Sequence, residues 1–245
     1  MKCLILAAGY ATRLYPLTEN FPKPLLEVGG KTILDWLVDD IDAMGAVDEY
    51  VLISNHKYAE YFERWAVEKT QRITVVDDGT SSNETRLGAV RDMQFAVDSL
   101  GIDDEMLVIA GDNVLDFSLT EFIRYAEKKG TSCVMRYYEA EEVRLRKSGV
   151  AQVDENDRII SFMEKPACPA GHWCTPPFYF LTRTDVRRIS AAIDAGCGTD
   201  APGSYIAWLC RHSAIHSMEM PGKRYDIGDI ESYRSVQRNY RGIGL

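Results

Sequence analysis

The stretch that decides the fold is KCLILAAGYATRLYPLT, residues 2–18. Its first part, Lys2–Ala7, is mostly apolar and suits a strand buried within a sheet. The rest is a long run containing Gly, Thr, Arg and Pro, and a loop of this length beside the first strand of a compact domain is usually functional. We therefore expect a first strand that leads directly into a ligand-binding loop.

Strand and helix patterns alternate from this stretch to about residue 130. A helix is predicted to begin at Thr32, which has Asp35 three positions on as in a capping box, and to end before Gly45. The further strands are predicted at Tyr50–Ile53, Ile73–Val76 and Met106–Ala110, and the further helices at Tyr58–Glu68, Thr85–Leu100 and from Ser118 to Gly130. This alternation predicts a mostly parallel, Rossmann-like sheet with helices on both faces.

The pattern changes after Thr131. Gly149–Val153 and Arg158–Met163 flank a polar turn and predict an antiparallel hairpin. A strand is expected at Phe178–Leu181, and helices at Thr184–Ala195, Ser204–His212 and Asp229–Tyr240. The fold class predicted is therefore α/β with an antiparallel C-terminal subregion, in a single domain of residues 1–245.

Composition excludes several classes of function. The 245 residues carry 37 acidic and 28 basic side chains, and a net charge of −9 disfavours nucleic acid as a partner. The longest apolar runs are far shorter than the roughly 20 residues of a membrane-spanning helix, so no membrane partner is expected. Six scattered cysteines, some within predicted buried strands, fit reduced thiols and a cytoplasmic location.

The first loop combines small residues with two cations. Small residues let backbone N–H groups approach phosphate oxygens closely. Arg13 can bridge two phosphate oxygens, and Lys23, between two prolines, is a point charge on a stiff backbone. The small or hydroxyl-bearing positions of the loop are Ala8, Gly9, Ala11 and Thr12. This combination predicts a triphosphate site.

Several motifs together resemble one family, the sugar-phosphate nucleotidylyltransferases, which includes glucose-1-phosphate thymidylyltransferase and mannose-1-phosphate guanylyltransferase. The resemblance rests on LAAGxxTRLxPLT at residues 6–18 and PKPLL at residues 22–26. Gly111-Asp112-Asn113, Glu164-Lys165-Pro166 and Asp226-Ile227-Gly228 follow in the family's order. We expect no C-terminal β-helix of the kind that some relatives append.

The resemblance implies a reaction and a role for particular residues. The family joins a nucleoside triphosphate to a sugar 1-phosphate and releases pyrophosphate, by in-line attack on the α-phosphorus. Arg13 and Lys23 would then be catalytic and hold the triphosphate, while Asp112 and Asp226 would bind Mg²⁺. Lys165 would hold the phosphate of the acceptor and Glu164 would orient its hydroxyls. Residues 1–130 would form the nucleotide-binding part and residues 131–245 the acceptor-binding part.

Base recognition is expected in the polar stretch at residues 77–89. Thr80 and Asn83 are candidates for base contacts, and Gly88 would allow a ribose or base to approach a helix N-terminus. The first loop departs from the family because alanine replaces a common glycine at position 11. The Cβ of Ala11 limits both positive φ and close phosphate approach.

Other functions stay open at this point. They are a cytidylyltransferase acting on phosphocholine, another phosphorylated alcohol or a phosphonate, a metal-dependent glycosyltransferase, and a non-catalytic nucleotide-sugar sensor. A quaternary amine would favour an aromatic cage, for which Tyr137, Tyr138, Trp173, Phe178 and Tyr179 are candidates. The spacing of Cys168, His172 and Cys174 invites a zinc site, but they include no CxxC pair and lie in a proline-rich loop, so an acceptor-shaping loop is the favoured interpretation. The nucleobase, the acceptor and homo-oligomer formation are left open.

Overall fold

The computed structural model describes residues 1–244 of the chain. The strands are β1 (Lys2–Leu6), β2 (Glu27–Val28), β3 (Lys31–Thr32), β4 (Glu49–Ser54), β5 (Ile73–Asp77), β6 (Met106–Ala110), β7 (Val114–Leu115), β8 (Ser132–Tyr138), β9 (Gly149–Val153), β10 (Ile159–Glu164), β11 (Trp173–Thr175), β12 (Phe178–Leu181), β13 (Ile215–Glu219) and β14 (Arg224–Tyr225). The helices are α1 (Ile33–Asp42), α2 (Ala59–Val67), α3 (Ala89–Leu100), α4 (Thr120–Lys129), α5 (Glu142–Leu145), α6 (Arg183–Val186), α7 (Ile189–Asp194), α8 (Gly203–Leu209) and α9 (Ile230–Asn239).

The chain forms two compact units. The first contains Met1–Arg86, Ala110–Glu121 and the segment from Pro221 onward. The second contains Leu87–Ile109 and Phe122–Met220. Within residues 1–244, no helix is long and apolar enough to cross a bilayer.

The first unit is built on the parallel strands β1, β4 and β5. The central strand β4 pairs with β1, with Leu4 opposite Val51, and with β5, with Val51 opposite Thr74. Leu4 and Val51 are almost completely buried, as expected for strands covered on both faces. The helices α1 and α2 connect these strands in the order β1, α1, β4, α2, β5, which parallel pairing requires. The alternation predicted from the sequence is confirmed here.

Helix α1 begins where its capping residues predict. Thr32 Oγ1 accepts a hydrogen bond from the backbone N–H of Asp35 at 3.0 Å. The Asp35 carboxylate accepts one in return from the backbone N–H of Thr32 at 3.3 Å. The apolar residues Leu34, Leu37 and Ile41 of the helix are buried. The cap and the apolar face predicted from the sequence are therefore both confirmed.

A short antiparallel pair brings the C-terminal segment beside the loop after β6. Strand β14 pairs with β7, so that Arg224 lies opposite Leu115 and Tyr225 opposite Val114. The Tyr240 hydroxyl, directly after α9, donates to the Leu115 carbonyl at 2.6 Å and fixes the same connection. Residues near 112 and 226 are thereby neighbours in the first unit, although more than a hundred positions separate them.

The second unit contains a mixed sheet. Strand β12 pairs antiparallel with β6 and β8, and β13 pairs parallel with β8. Beyond β8 the antiparallel order continues through β11 and β9 to β10, and β9 with β10 is the predicted hairpin. Parallel strands in the N-terminal part and mostly antiparallel strands in the C-terminal part confirm the predicted fold class.

Two predicted helices differ from the structure. The helix expected from Thr85 begins only at Ala89, because Gly88 has φ +90° and the N–H groups of Ala89 and Val90 donate to Asp200 and Thr199 carbonyls. The helix expected over residues 184–195 is divided into α6 and α7. No glycine or proline marks this division, so the sequence pattern could not predict it.

Candidate functional site

The first loop of the first unit turns sharply at Ala11. This residue has φ 46° and ψ 41°, the left-handed conformation in which a Cβ is unfavourable. Two hydrogen bonds hold the turn, since the Ala11 carbonyl accepts from the Leu14 N–H at 2.9 Å and from Thr18 Oγ1 at 2.8 Å. The predicted conflict between a Cβ and positive φ is therefore real, and the loop tolerates it.

The start of the loop is held by a residue that no sequence motif indicated. Asn55, fully buried after β4, donates through Nδ2 to the Ala8 carbonyl at 3.0 Å and accepts from the Tyr58 N–H at 3.1 Å. Gly9 is exposed, and a Cβ built there would meet nothing within 4 Å. Thr12 and Arg13 follow on a short helical turn, and both are at least partly exposed. Gly9 and Thr12 are therefore exposed, whereas Ala8 is buried, so only part of the predicted phosphate-binding loop is open to a ligand.

Lys23 belongs to a polar cluster of the first unit, whose other members are Asp112, Asn113, Arg224 and Asp226. Its Nζ is 2.7 Å from Asp112 Oδ2, and its side chain is only 9% exposed, against 45% for Asp112. The prolines on both sides constrain the backbone of a short helical turn at residues 23–25. The structure thus joins two residues that the motifs assigned to different ligands, the triphosphate and the metal.

Asp112 follows a glycine at which a side chain would be crowded. A Cβ at Gly111 would lie 3.0 Å from Ile5 Cγ2 and 3.3 Å from Leu34 Cδ2. Burial would raise the pKa of Asp112, but the charge and hydrogen bond of Lys23 and the charge of Arg224 outweigh it and hold that pKa below its ordinary value. Lys23 and Arg224 therefore favour the ionised form of this carboxylate.

Arg224 is a second residue that no motif indicated. Its Nη1 donates to Asn113 Oδ1 at 3.1 Å and lies 3.9 Å from Asp226 Oδ1. Its side chain is 22% exposed, whereas that of Asp226 is 74% exposed. Its position two residues before Asp226 is the only sequence signal that could have found it. Arg224 connects the Asp112 loop with the Asp226 loop.

The predicted metal ligands suit Mg²⁺ by their chemistry. Asp112 and Asp226 supply hard carboxylate oxygens, and Mg²⁺ is typically held by one or two carboxylates together with phosphate oxygens and water. Both side chains are at least partly exposed, which leaves their oxygens accessible to such ligands. Within residues 1–244 no cluster of three or more His, Cys, Asp or Glu side chains is arranged to enclose a metal by itself. These residues fit a metal that is completed by its substrate.

The predicted base-reading loop is partly ordered by its own hydrogen bonds. Thr80 is buried, its N–H donates to Asp78 Oδ1 at 2.7 Å, and its carbonyl accepts from the His56 N–H at 2.8 Å. Asn83 is exposed at the tip, and its carbonyl accepts from Arg86 Nη1 at 2.8 Å. The side chain of Asn83 is thus better placed than that of Thr80 to meet a ligand. Base contacts by either residue stay a prediction.

Gly88 lies in the second unit and has a structural reason to be glycine. A Cβ at this position would lie 2.6 Å from the Thr199 carbonyl oxygen. Its φ of +90° also favours glycine. The packing against Thr199 therefore accounts for Gly88, and its role in nucleotide binding stays a prediction.

Glu164 and Lys165 end strand β10 of the second unit. The Glu164 carboxylate lies against the Cα positions of Gly149 and Gly203, where a Cβ would approach or overlap it. Burial raises the pKa of Glu164, the charge of Lys165 lowers it less strongly, and Asp200 raises it further. Lys165 has φ 45°, its N–H donates to the Ser148 carbonyl at 3.0 Å, and its Nζ is 3.9 Å from Asp200 Oδ2. Gly203 is a further residue that no sequence motif indicated.

The loop with two cysteines and a histidine is not arranged around a metal. Cys174 is buried in β11, whereas Cys168 is exposed. The His172 ring stacks on Tyr138 at 5.3 Å, and its Nδ1 lies 3.0 Å from the Glu139 carbonyl oxygen. The loop is held by aromatic packing and hydrogen bonding.

A family model described as "Nucleotidyl transferase" matches residues 2–242. The chain belongs to this family. "Probable mannose-1-phosphate guanylyltransferase 2" of Arabidopsis thaliana is 28% identical over 244 residues, which cover 98% of this chain and 65% of the relative. "Bifunctional protein GlmU" of Methanocaldococcus jannaschii is 27% identical, over 93% of this chain and 51% of the relative. The chain thus spans about two thirds or less of these curated relatives.

Solved structures share the fold. A structure described as a putative glucose-1-phosphate thymidylyltransferase from Bacillus anthracis has a TM-score of 0.84 at 21% identity, covering 100% of this chain and 97% of that one. A UDP-glucose pyrophosphorylase complexed with UDP-glucose has a TM-score of 0.82 at 20% identity, covering 98% of this chain and 97% of that one. At these identities the likeness establishes the fold.

The strain at Ala11 gives a testable prediction. Ala11→Gly should raise the free energy of unfolding by about 1 kcal/mol, because glycine adopts left-handed φ without the Cβ penalty. The matched control Ala66→Gly, in helix α2, should instead lower it by about 1 kcal/mol. Both values can be measured by urea denaturation. Equal losses in the two variants would show that Ala11 is not left-handed in solution.

Proposed function

We propose that the chain transfers a nucleotidyl group from a nucleoside triphosphate to a sugar 1-phosphate, releasing pyrophosphate. The observation that carries this proposal is the contact of Lys23, in the first loop, with Asp112, in the Gly-Asp-Asn motif. A cation on a constrained loop and an ionised carboxylate, side by side, are the groups needed for a triphosphate and its metal. Family membership supports the same reaction class.

The reaction requires positioning and charge neutralisation more than covalent help. A phosphate oxygen of the acceptor forms a bond to the α-phosphorus, and the bond from that phosphorus to the bridging oxygen of pyrophosphate breaks. Lys23 and Arg13 hold the triphosphate and stabilise the charge that develops on its oxygens. Asp112 and Asp226 would hold Mg²⁺, which when bound neutralises charge on the phosphates. The electron pair of the broken phosphorus–oxygen bond leaves with pyrophosphate.

Glu164 and Lys165 are the groups proposed for the acceptor. Lys165 offers an ammonium to the acceptor phosphate, and its side chain is 50% exposed. The Glu164 side chain is partly buried, and none of the described residues donates a hydrogen bond to its carboxylate. Since the chain supplies no donor to this partly buried carboxylate, ligand hydroxyl groups can donate to it. A sugar 1-phosphate brings a phosphate and hydroxyls together.

Phosphocholine is a weaker candidate for the acceptor. Its quaternary ammonium needs open aromatic faces. The Arg136 guanidinium lies 4.7 Å from the centre of the Trp173 ring, and a second cation there would be repelled. Phe178 and Tyr179 are buried within β12, and Tyr138 stacks on His172. The aromatic residues considered in the sequence are thus largely occupied by contacts within the chain.

The reaction can be tested by measuring pyrophosphate release. A matrix of the common nucleoside triphosphates against sugar 1-phosphates and phosphoalcohols, with Mg²⁺, should give turnover with at least one sugar 1-phosphate and none with phosphocholine. Lys23→Ala should lower that turnover by about 10²-fold or more, because a positioned cation facing developing charge is typically worth a few kcal/mol. Turnover in no combination would contradict the proposed reaction, and turnover with phosphocholine alone would contradict the proposed acceptor.

Gly203 gives a prediction that concerns the acceptor alone. Gly203→Ala should displace the Glu164 carboxylate, so the KM for the acceptor should rise by about tenfold while the KM for the triphosphate changes by less than about twofold. In a Glu164→Ala background, Gly203→Ala should not change the KM for the acceptor further, because the carboxylate that it would displace is already absent. An added loss in that background would show that Gly203 acts through another contact.

A further inference from the structure

The Lys23 ammonium is almost buried and forms an ion pair with the Asp112 carboxylate. Its Nζ lies 2.7 Å from Asp112 Oδ2, with 9% of the lysine side chain exposed. A buried charge is costly unless it is paired, so Lys23 needs this carboxylate as long as no phosphate is bound. Asp112 is 45% exposed and therefore keeps access to solvent ions.

The same carboxylate is the one expected to bind the divalent cation, and the inference therefore rests on the proposed function. Mg²⁺ approaches its oxygen ligands to about 2.0–2.1 Å. An ammonium and a divalent cation on one carboxylate would stand only a few ångströms apart, where their repulsion is large in a partly buried site. The two cations therefore compete for Asp112.

We propose that Lys23 is a displaceable occupant of the metal site. In the free protein it neutralises Asp112, and it moves onto the triphosphate when the metal takes the carboxylate. Metal binding without a triphosphate leaves the buried ammonium unpaired and is therefore weak. A triphosphate supplies the new partner for Lys23, so metal and triphosphate bind cooperatively.

Binding of Mn²⁺ to the full chain without nucleotide tests this directly. The free Mn²⁺ signal is followed by electron paramagnetic resonance for the parent, Lys23→Met, Asp112→Asn and Arg13→Met. Lys23→Met should bind Mn²⁺ about tenfold or more tightly than the parent, because a charge-assisted hydrogen bond no longer has to be broken. Arg13→Met removes the same charge from an exposed residue of the same loop, and solvent screening should keep its effect below about threefold.

The four proteins separate this displacement from the proposed function. Asp112→Asn should weaken Mn²⁺ binding by about tenfold, and a value equal to the parent's would contradict the metal site itself. Unchanged or weaker binding by Lys23→Met, with binding lost in Asp112→Asn, would overturn only the displacement. Equal gains in Mn²⁺ affinity for Lys23→Met and Arg13→Met would also overturn the displacement, since the loss of any one positive charge near the site would then explain both gains. Circular dichroism checks folding, and Lys23→Gln replaces Lys23→Met if the latter does not fold.

Discussion

The polar cluster of the first unit depends on the ion pair between Lys23 and Asp112. The ammonium is nearly buried and the carboxylate half-exposed, so the pair neutralises the costlier charge and leaves the other accessible. Lys23 comes from the proline-flanked turn and Asp112 from the turn after β6. The pairing of β14 with β7 brings Arg224 beside Asn113, the residue that follows Asp112.

Much of this arrangement could be predicted from the sequence because it uses local signals. The apolar run of β1, the cap at Thr32 and the positions of the motifs placed the first loop and the Asp112 turn at strand ends. The resemblance of the motifs then indicated the residues of interest, among them Lys23, Asp112 and Lys165. The start of helix α3 at Ala89 could not be predicted, because it depends on hydrogen bonds to Thr199 and Asp200, which are over a hundred residues away in sequence.

The remaining site residues could not be predicted because their roles come from distant contacts. Asn55 follows an ordinary buried strand, and only the folded chain brings its amide to the Ala8 carbonyl. Arg224 is one of many arginines until the pairing of β14 with β7 sets it beside Asn113. Gly203 looks like a common helix start, yet its missing side chain makes room for the Glu164 carboxylate. All three residues acquire their roles from contacts with residues distant in sequence, and such contacts leave no local sequence pattern.

The most direct test of the exchange at Asp112 is a crystal structure of the protein with Mg²⁺ and a non-hydrolysable nucleoside triphosphate analogue. We predict that Lys23 Nζ will contact phosphate oxygens, with the metal bound to the Asp112 carboxylate in its place. A complex in which Lys23 still donates to Asp112, with the metal held elsewhere, would contradict the exchange.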